Sequence, residues 1–442
     1  MTPMSLRLLL SSIFAAVAMV AATGPAVAQI GLPGGGLPQT PRLPALPVDP
    51  GSLEATARDG VQRGLEAPAR LRGLVRRSGG ALEADPWGWP VVRGELVAVD
   101  LSPEGRRRAL QAGFAVVREE RLAALDMTTT VLAPPRRLSL GRAVERLRDL
   151  DPEGSYAFNH VHAPAGALAE AGPAAAPVSA PQGGRGRMGL IDTGVDASHP
   201  AVAEARIVQR GFAGPARPAS HGTAVASLMV GRSGGFSGAA PGAELYAADV
   251  YGGSTTGGSA TALVQALAWM VENEAPVVNV SLVGPRNAVV EAAVRRAAGR
   301  GMLIVAAVGN DGPSAPPLYP AAYADVVGVT AVNGRGRVLP EAGRGPQVDF
   351  AAPGADMAAA GPGRGYVNVR GSSFAAPLVA GLLSERLSRP DRNGAEAAVA
   401  GVARTATDAG APGRDPVYGV GIVATDRRVE PRTVGARGRL SR

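Results

Sequence analysis

At 442 residues the chain has room, at ~150 residues per domain, for about three domains and a full core, and its 46% hydrophobic and 19% charged residues mark most of it as folding. It has no cysteine and no lysine, all 45 basic residues being Arg, which excludes disulfides, thiol catalysis, Cys-based zinc and iron–sulfur sites, Walker-type phosphate loops, pyridoxal Schiff bases and Ser/Lys dyads. The net charge of +8 resides in residues 51–150 (17 Arg, 13 acids) and in 426–442 (6 Arg, 2 acids), whereas 151–425 set 20 Arg against 21 acids; with 4% aromatics for base stacking, no nucleic-acid partner is expected.

The sequence opens with Arg7, an apolar stretch over 8–22 and the small-residue site Ala26-Val27-Ala28, which together predict an export signal over 1–28. Its apolar run falls short of the ~20 residues that span a bilayer, and no later segment is longer. The expectation is an exported protein, periplasmic or extracellular, with no transmembrane segment once the signal is removed. A Pro/Gly-rich linker without apolar period follows over 29–50.

Residues 51–92 form a helical lead-in, with Leu65, Leu71, Leu74 and Val75 at helical spacing until Gly79-Gly80 stops the pattern. Then come a strand over 95–100, a helix opened by Ser102-Pro103-Glu104, strands over 115–117 and 127–132, a helix with Leu140, Val144 and Leu147 on one face, and a strand over 155–161. This β-α-β-β-α-β order predicts a small α+β, ferredoxin-like domain over 93–162. His160 and His162, two apart on its last strand, share a face; a partly exposed strand face is expected, with a metal pair as the alternative.

Residues 163–186 are almost entirely Ala, Pro and Gly and read as a second linker. Beyond it, apolar runs over 188–191, 245–250, 277–282, 302–308 and 326–332 alternate with helical stretches over 261–273 and 287–300. Near-continuous apolar strands between helices predict an α/β domain over 187–425, a parallel sheet with helices on both faces. Its chemistry is then expected at the carboxyl ends of the strands. An Arg-rich tail occupies 426–442.

Ile191-Asp192-Thr193-Gly194 sets a carboxylate where a buried strand ends. Aspartic proteases use the same three letters, but they need two such carboxylates, and no second Asp-Thr-Gly or Asp-Ser-Gly occurs. His221-Gly222-Thr223 precedes an apolar run and belongs in a helix's first turn; taken alone, it also reads as a structural cap. Gly371-Ser372-Ser373-Phe374-Ala375-Ala376-Pro377 opens an apolar helix with a hydroxyl at its N-terminal end, and alone it also reads as an N-cap. Pro377 is expected in that first turn, where helical N–H groups lack partners anyway.

Together, and in this order, Asp192, His221 and Ser373 resemble the triad of the subtilisin-like serine proteases. Val305-Ala306-Ala307-Val308-Gly309-Asn310 looks like the family's strand ending in an oxyanion Asn, Val278-Asn279-Val280-Ser281-Leu282 like its substrate-binding strand, and Ala239-Ala240-Pro241 and Tyr418-Gly419-Val420-Gly421 also match. The resemblance covers about 188–425 and implies the subtilisin-like fold and an endopeptidase acting on protein or peptide substrates. His221 would be general base and then acid, Asp192 would orient its ring, and Asn310 with the Ser373 N–H would form the oxyanion hole. Gly257, Ser281, Leu282, Val283, Ala307, Gly309 and Leu318 would line the substrate. The segment over 93–162 looks like the family's propeptide, an intramolecular chaperone and inhibitor removed by self-processing within 163–186. The alternative is a catalytically silent binding protein of the cell envelope on the same fold.

Three positions depart from the family pattern: Ala224 for a second His, Ser372 for Thr and Val283 for Gly, the last projecting a side chain where substrate would run. No acid occurs between Val230 and Ala240, so calcium is not expected at the family's usual loop, and neither a metal nor another cofactor is predicted. Leu318 stands before Tyr319-Pro320 where the family commonly has Gly at the floor of the primary pocket, which implies a shallow apolar pocket and cleavage after small residues such as Ala.

Overall fold

The computed structural model describes residues 70–164 and 186–441. The signal over 1–28, the linker over 29–50, the lead-in as far as residue 69 and residues 165–185 lie outside them.

Helix α1 (70–77) is stopped by Ser78, whose hydroxyl donates to the Val75 carbonyl at 2.7 Å and accepts the Leu82 N–H at 3.0 Å. Strands β1 (Leu82–Ala84) and β2 (Pro90–Val99), helix α2 (Pro103–Gln111), strands β3 (Ala115–Leu122) and β4 (Met127–Ala133), helix α3 (Leu140–Leu150) and strand β5 (Ser155–His160) follow. Ser102 caps α2, accepting the Gly105 N–H at 2.9 Å, with Pro103 as the helix's first residue. All strand pairs are antiparallel: β5 and β4 flank β2, β3 pairs with β4, and β1 pairs with the start of β2. Alternation along the strands splits the apolar residues between two faces. Leu96, Ala98, Leu132, Tyr156 and Phe158 pack with the Leu140, Val144 and Leu147 stripe, whereas Val97, Val99, Val131 and Ala157 face a different core.

Strands β6 (Ala163–Pro164), β7 (Arg187–Asp192) and β8 (Ile207–Gly211), helix α4 (Ser220–Val230), the hairpin β9 (Arg232–Ser233) and β10 (Phe236–Ser237), strand β11 (Glu244–Asp249), helix α5 (Ala260–Glu272), strands β12 (Val277–Val280) and β13 (Leu282–Val283), helix α6 (Ala288–Gly299), strands β14 (Leu303–Ala307), β15 (Val326–Val332), β16 (Phe350–Pro353), β17 (Ala355–Ala360) and β18 (Tyr366–Arg370), helices α7 (Ser372–Ser384) and α8 (Arg392–Ala403) and strand β19 (Arg439–Ser441) make up the rest. Seven of these strands form a wholly parallel sheet in the order β16-β15-β14-β12-β7-β11-β8. Helices α4 and α7 cover one face and α5 and α6 the other. The α/β sheet covered on both faces and the small α+β unit before it are as the sequence predicts, but the lead-in expected to be helical to residue 92 holds β1 and the first residues of β2, because the apolar Leu82, Val91 and Val92 extend the sheet back past residue 93.

The two outermost strands, β8 and β16, carry no long apolar run: Ile207–Gly211 contains Gln209 and Arg210, and Phe350–Pro353 is short and half Ala. Strand β8 is part-exposed along most of its length, so burial imposes less pattern on it, whereas β16 is wholly buried and its run of four residues is simply too short to stand out. The last N-terminal strand ends at His160, earlier than its apolar run suggests, and His160 and His162 are both buried, 4% and 0% exposed, against the expected part-exposed face. The reason is tertiary, because that stretch lies between the two units. Among the described residues no group of three or more His, Asp or Glu is placed to hold a metal, and no helix is long and apolar enough to cross a membrane. The Arg-rich tail folds back: β19 pairs in parallel with β18, Arg427 meets Glu385 at 3.2 Å, and Arg428 meets Glu430 at 3.0 Å.

Candidate active site

Asp192 is the last residue of β7, His221 the second of α4 and Ser373 the second of α7, and all three are at most 1% exposed. His221 Nδ1 lies 2.8 Å from Asp192 Oδ1. A carboxylate only accepts, so Nδ1 carries the proton and Nε2 is left as the base. Asp192 Oδ1 also accepts the Thr193 N–H at 2.6 Å, which fixes the carboxylate at the strand end. The glycines of Asp-Thr-Gly and His-Gly-Thr are there for close approach: a Cβ on Gly222 would stand 2.1 Å from the Thr193 carbonyl oxygen, and one on Gly194 2.2 Å from that of Arg217. The first turn of α4 therefore rests directly on the turn after β7. His221 Nε2 and Ser373 Oγ are both buried, and neither makes a hydrogen bond among the described residues.

Pro377 is not in the first turn of α7 but its sixth residue, which removes the N–H that would serve the Ser373 carbonyl. Ser281 supplies the missing donor, its hydroxyl donating to that carbonyl at 3.0 Å while accepting from Asn279 Nδ2 at 2.8 Å. Ser281, expected from the sequence to line the substrate, thus holds the backbone of Ser373.

Asn310 follows Gly309 in the turn after β14, and its Oδ1 accepts the Ser372 N–H at 3.0 Å, which fixes the orientation of its amide beside the Ser372-Ser373 turn. The Ser372 hydroxyl accepts the Gly309 N–H at 3.2 Å, so Ser serves where Thr is usual. Gly371, at φ +138°, occupies backbone space closed to other residues, and a Cβ there would stand 3.0 Å from Asn310 Nδ2. Asp311, next to Asn310, receives Arg70 of α1 at 2.9 Å and 3.2 Å, so the lead-in helix reaches the rim of the site.

Residues 161–164 lie in the cleft. Ala163 pairs with Val283 and Pro164 with Leu282 in an antiparallel ladder, and on the other side Val161 bridges Ser259 while the His162 N–H donates to the Gly258 carbonyl at 2.7 Å. Val283 therefore does not obstruct the path but is itself a rung. The opposite wall is Gly258 and Ser259 rather than Gly257, which instead packs on Tyr251; nothing in composition distinguishes neighbouring glycines in that loop. The Tyr251 hydroxyl donates to the His162 carbonyl at 2.9 Å, and burial first, then the Asp192 and Asp249 charges, hold that phenol well above its ordinary range. The His162 ring sits against Gly284, where a Cβ would stand 2.5 Å from Cδ2. Its Nδ1 lies 3.3 Å from the Gly258 carbonyl, and Nε2 has no hydrogen-bond partner among the described residues. Burial, reinforced by His160, lowers its pKa to about 4. His160 is held between Asp85 at 3.1 Å and Asn287 at 3.0 Å. Ala307 ends β14 fully buried, and Leu318, 4% exposed, reaches within 2.6 Å of where a Cβ on Gly309 would stand.

The profile of the subtilase family matches residues 187–421. The thermostable alkaline protease of Halalkalibacterium halodurans is 32% identical over 256 residues, 56% of this chain and 68% of that protein. Subtilisin Savinase of Lederbergia lenta is 37% identical over 205 residues, 44% of this chain and 73% of its own length. Among solved structures, fervidolysin from Fervidobacterium pennivorans, a keratinolytic enzyme related to subtilisin, superposes with a TM-score of 0.61 at 19% identity, over 78% of this chain and 61% of that one; this likeness concerns the fold. Because the profile begins at the first residue of β7 and closes beyond α8, it takes in the entire parallel sheet, and the chain belongs to the subtilase family of serine proteases.

Proposed function

We propose that the chain is the precursor of an exported endopeptidase that cuts itself free of its N-terminal unit, and that residues 70–164 chaperone and inhibit it until then. The observation that carries this reading is the antiparallel ladder of Ala163 and Pro164 on Val283 and Leu282, with His162 hydrogen-bonded to Gly258 across the cleft. A chain held this way occupies the place of a substrate and keeps others out. Ser281, next to Leu282 on that strand, holds the Ser373 carbonyl with its hydroxyl, so the chain that follows Pro164 leaves the ladder at the nucleophile's side. Self-cleavage is therefore expected at Ala165-Gly166, within the part of the linker outside the described residues, and Ala before the cut agrees with a primary pocket shortened by Leu318.

In the reaction, His221 Nε2 takes the proton of Ser373 as its oxygen attacks the scissile carbonyl, and returns it to the leaving amine. Asp192, fixed by Thr193, holds the imidazole in the required tautomer. The charge arriving on the former carbonyl oxygen meets the Asn310 amide and the Ser373 N–H at the start of α7, a donor of this kind being worth ~3–4 kcal/mol of barrier. The Ser–His hydrogen bond is expected to form as substrate binds, since such contacts commonly tighten only then.

The test is a fluorophosphonate probe, which reacts only with an activated serine. The full chain should label at Ser373, and Ser373→Ala should lose the label and at least ~10³-fold of turnover. A folded, processed chain that never labels would establish the silent binding protein instead. Export rests on the signal-like residues 1–28, and the mass of the secreted protein's N-terminus checks it.

A further inference from the structure

We propose that Glu341 and Arg370 are a positioning pair that sets the oxyanion donor Asn310 against the nucleophile. Arg370 is the last residue of β18, with only Gly371 and Ser372 between it and Ser373. Its Nε lies 2.5 Å from Glu341 Oε1 and its Nη2 donates to Oε2 at 2.7 Å, a two-pronged contact that fixes direction as well as distance. Glu341 is 3% exposed, and it belongs to the long connection between β15 and β16, far in sequence from either catalytic loop.

The same short stretch also grips the Asn310 turn from both sides. The Glu341 carbonyl accepts the Gly312 N–H at 2.9 Å, and the Gly343 N–H donates to the Gly309 carbonyl at 3.0 Å. Gly343 is pressed so closely there that a Cβ would stand 2.8 Å from the Val308 carbonyl oxygen. Residues 341–343 are thus tied by backbone to the residues flanking Asn310 and by an ion pair to the strand that delivers Ser373. The Ser372 N–H to Asn310 Oδ1 and Gly309 N–H to Ser372 hydroxyl bonds join the two loops directly, and the Glu341–Arg370 contact ties them again through the 341–343 stretch.

A buried carboxylate next to a reaction centre calls for a reason. Ion pairs taken out of water contribute little to net stability, because desolvation cancels much of the attraction, but breaking one strands a charge. Holding a register is the use left to such a pair. Donors to an oxyanion act only within a few tenths of an ångström of their place, so a tie that fixes the distance between two loops acts on the barrier rather than on substrate affinity.

The inference rests on the reading of Asn310 as an oxyanion donor, and the experiment separates the two. Glu341→Gln, Arg370→Lys and Asn310→Ala are made in the full chain, alone and combined, and kcat and KM are measured on the processed enzyme together with the first-order rate of self-processing. Asn310→Ala should lower kcat ~10²–10³-fold; if it does not, the reading of Asn310 fails whatever Glu341 does. Glu341→Gln should lower kcat about 10- to 100-fold with KM changed less than about 3-fold. Arg370→Lys, with Glu341 intact, should lower kcat by a similar factor, since an ammonium keeps the charge but not the fork. In the Asn310→Ala background, Glu341→Gln should change kcat less than about 2-fold, because the group it positions is gone. The proposal is overturned if kcat is unchanged in both single variants, if the losses multiply with that of Asn310→Ala, or if both variants fail to fold, which would make the pair a folding requirement.

Discussion

In the seven-stranded sheet, β12 and β15 are buried along their whole length, and both covering layers come from the same unit, α4 and α7 on one face and α5 and α6 on the other. The N-terminal sheet covers one face itself, with α2 and α3, and takes its second cover from the catalytic unit: Val97, Val99, Leu125, Met127 and Val131 rest on α5 and α6. Helix α5, lying between two sheets, is buried almost all round, Gln265 on its N-terminal-unit side being partly exposed and bonded to Glu120. One unit is complete in itself. The other is complete only when docked, as the proposed role of a removable inhibitor requires.

Emptying each core should separate the two units most severely. Leu190→Ala, inside the parallel sheet, should cost about 2–5 kcal/mol in precursor and processed enzyme alike. Leu125→Ala, in the short turn that lies against α5 and α6, should cost a similar amount in the precursor only, since the residue is lost on processing. Denaturant midpoints of both forms decide it: a Leu125→Ala precursor that unfolds with the wild type would show that the second face is not supported by the catalytic helices.

Acid should loosen the docked unit next. His162 is neutral where it is buried, its pKa lowered from 6.5 to about 4, so the released or unfolded state binds the extra proton. Stability of the docked state is then full above about pH 6.5 and falls as pH drops toward about 4, by about 3 kcal/mol in all. Urea midpoints of the Ser373→Ala precursor across this window should decline, and His162→Gln should flatten the decline. Identical profiles in the two would show that His162 does not govern the decline.

The smallest effect concerns the pocket. Leu318→Gly should broaden acceptance from Ala toward Phe at the position before the cut, by roughly 5- to 30-fold in kcat/KM, about 1–2 kcal/mol. Peptides differing only there measure it, and a wild-type preference for Phe would refute the shallow pocket.

What could be read in the sequence follows the strength of each physical constraint. Asp192, His221 and Ser373 stand out as positions because a carboxylate ending an apolar strand and polar residues opening apolar helices leave local marks, but each alone also reads as structural, and only their order and resemblance to the subtilisin-like pattern join them. The split βαβ unit is legible because its strands alternate and its helices carry clean stripes. The cleft's other wall, Gly258 and Ser259, is not, since one loop glycine looks like the next. Nor are the burial of His162, which depends on a neighbour from the other unit, the Ser281 hydroxyl standing in for the N–H that Pro377 lacks, or the Glu341–Arg370 pair, whose members are joined only by the fold.

Whether Ser373 cuts the chain's own linker is read most directly from the intact mass and N-terminus of the purified wild type beside Ser373→Ala. The wild type should lose everything before a new N-terminus at Gly166, while Ser373→Ala should stay joined through residues 163–186. The same cut in Ser373→Ala would assign processing to another protease and contradict self-cleavage.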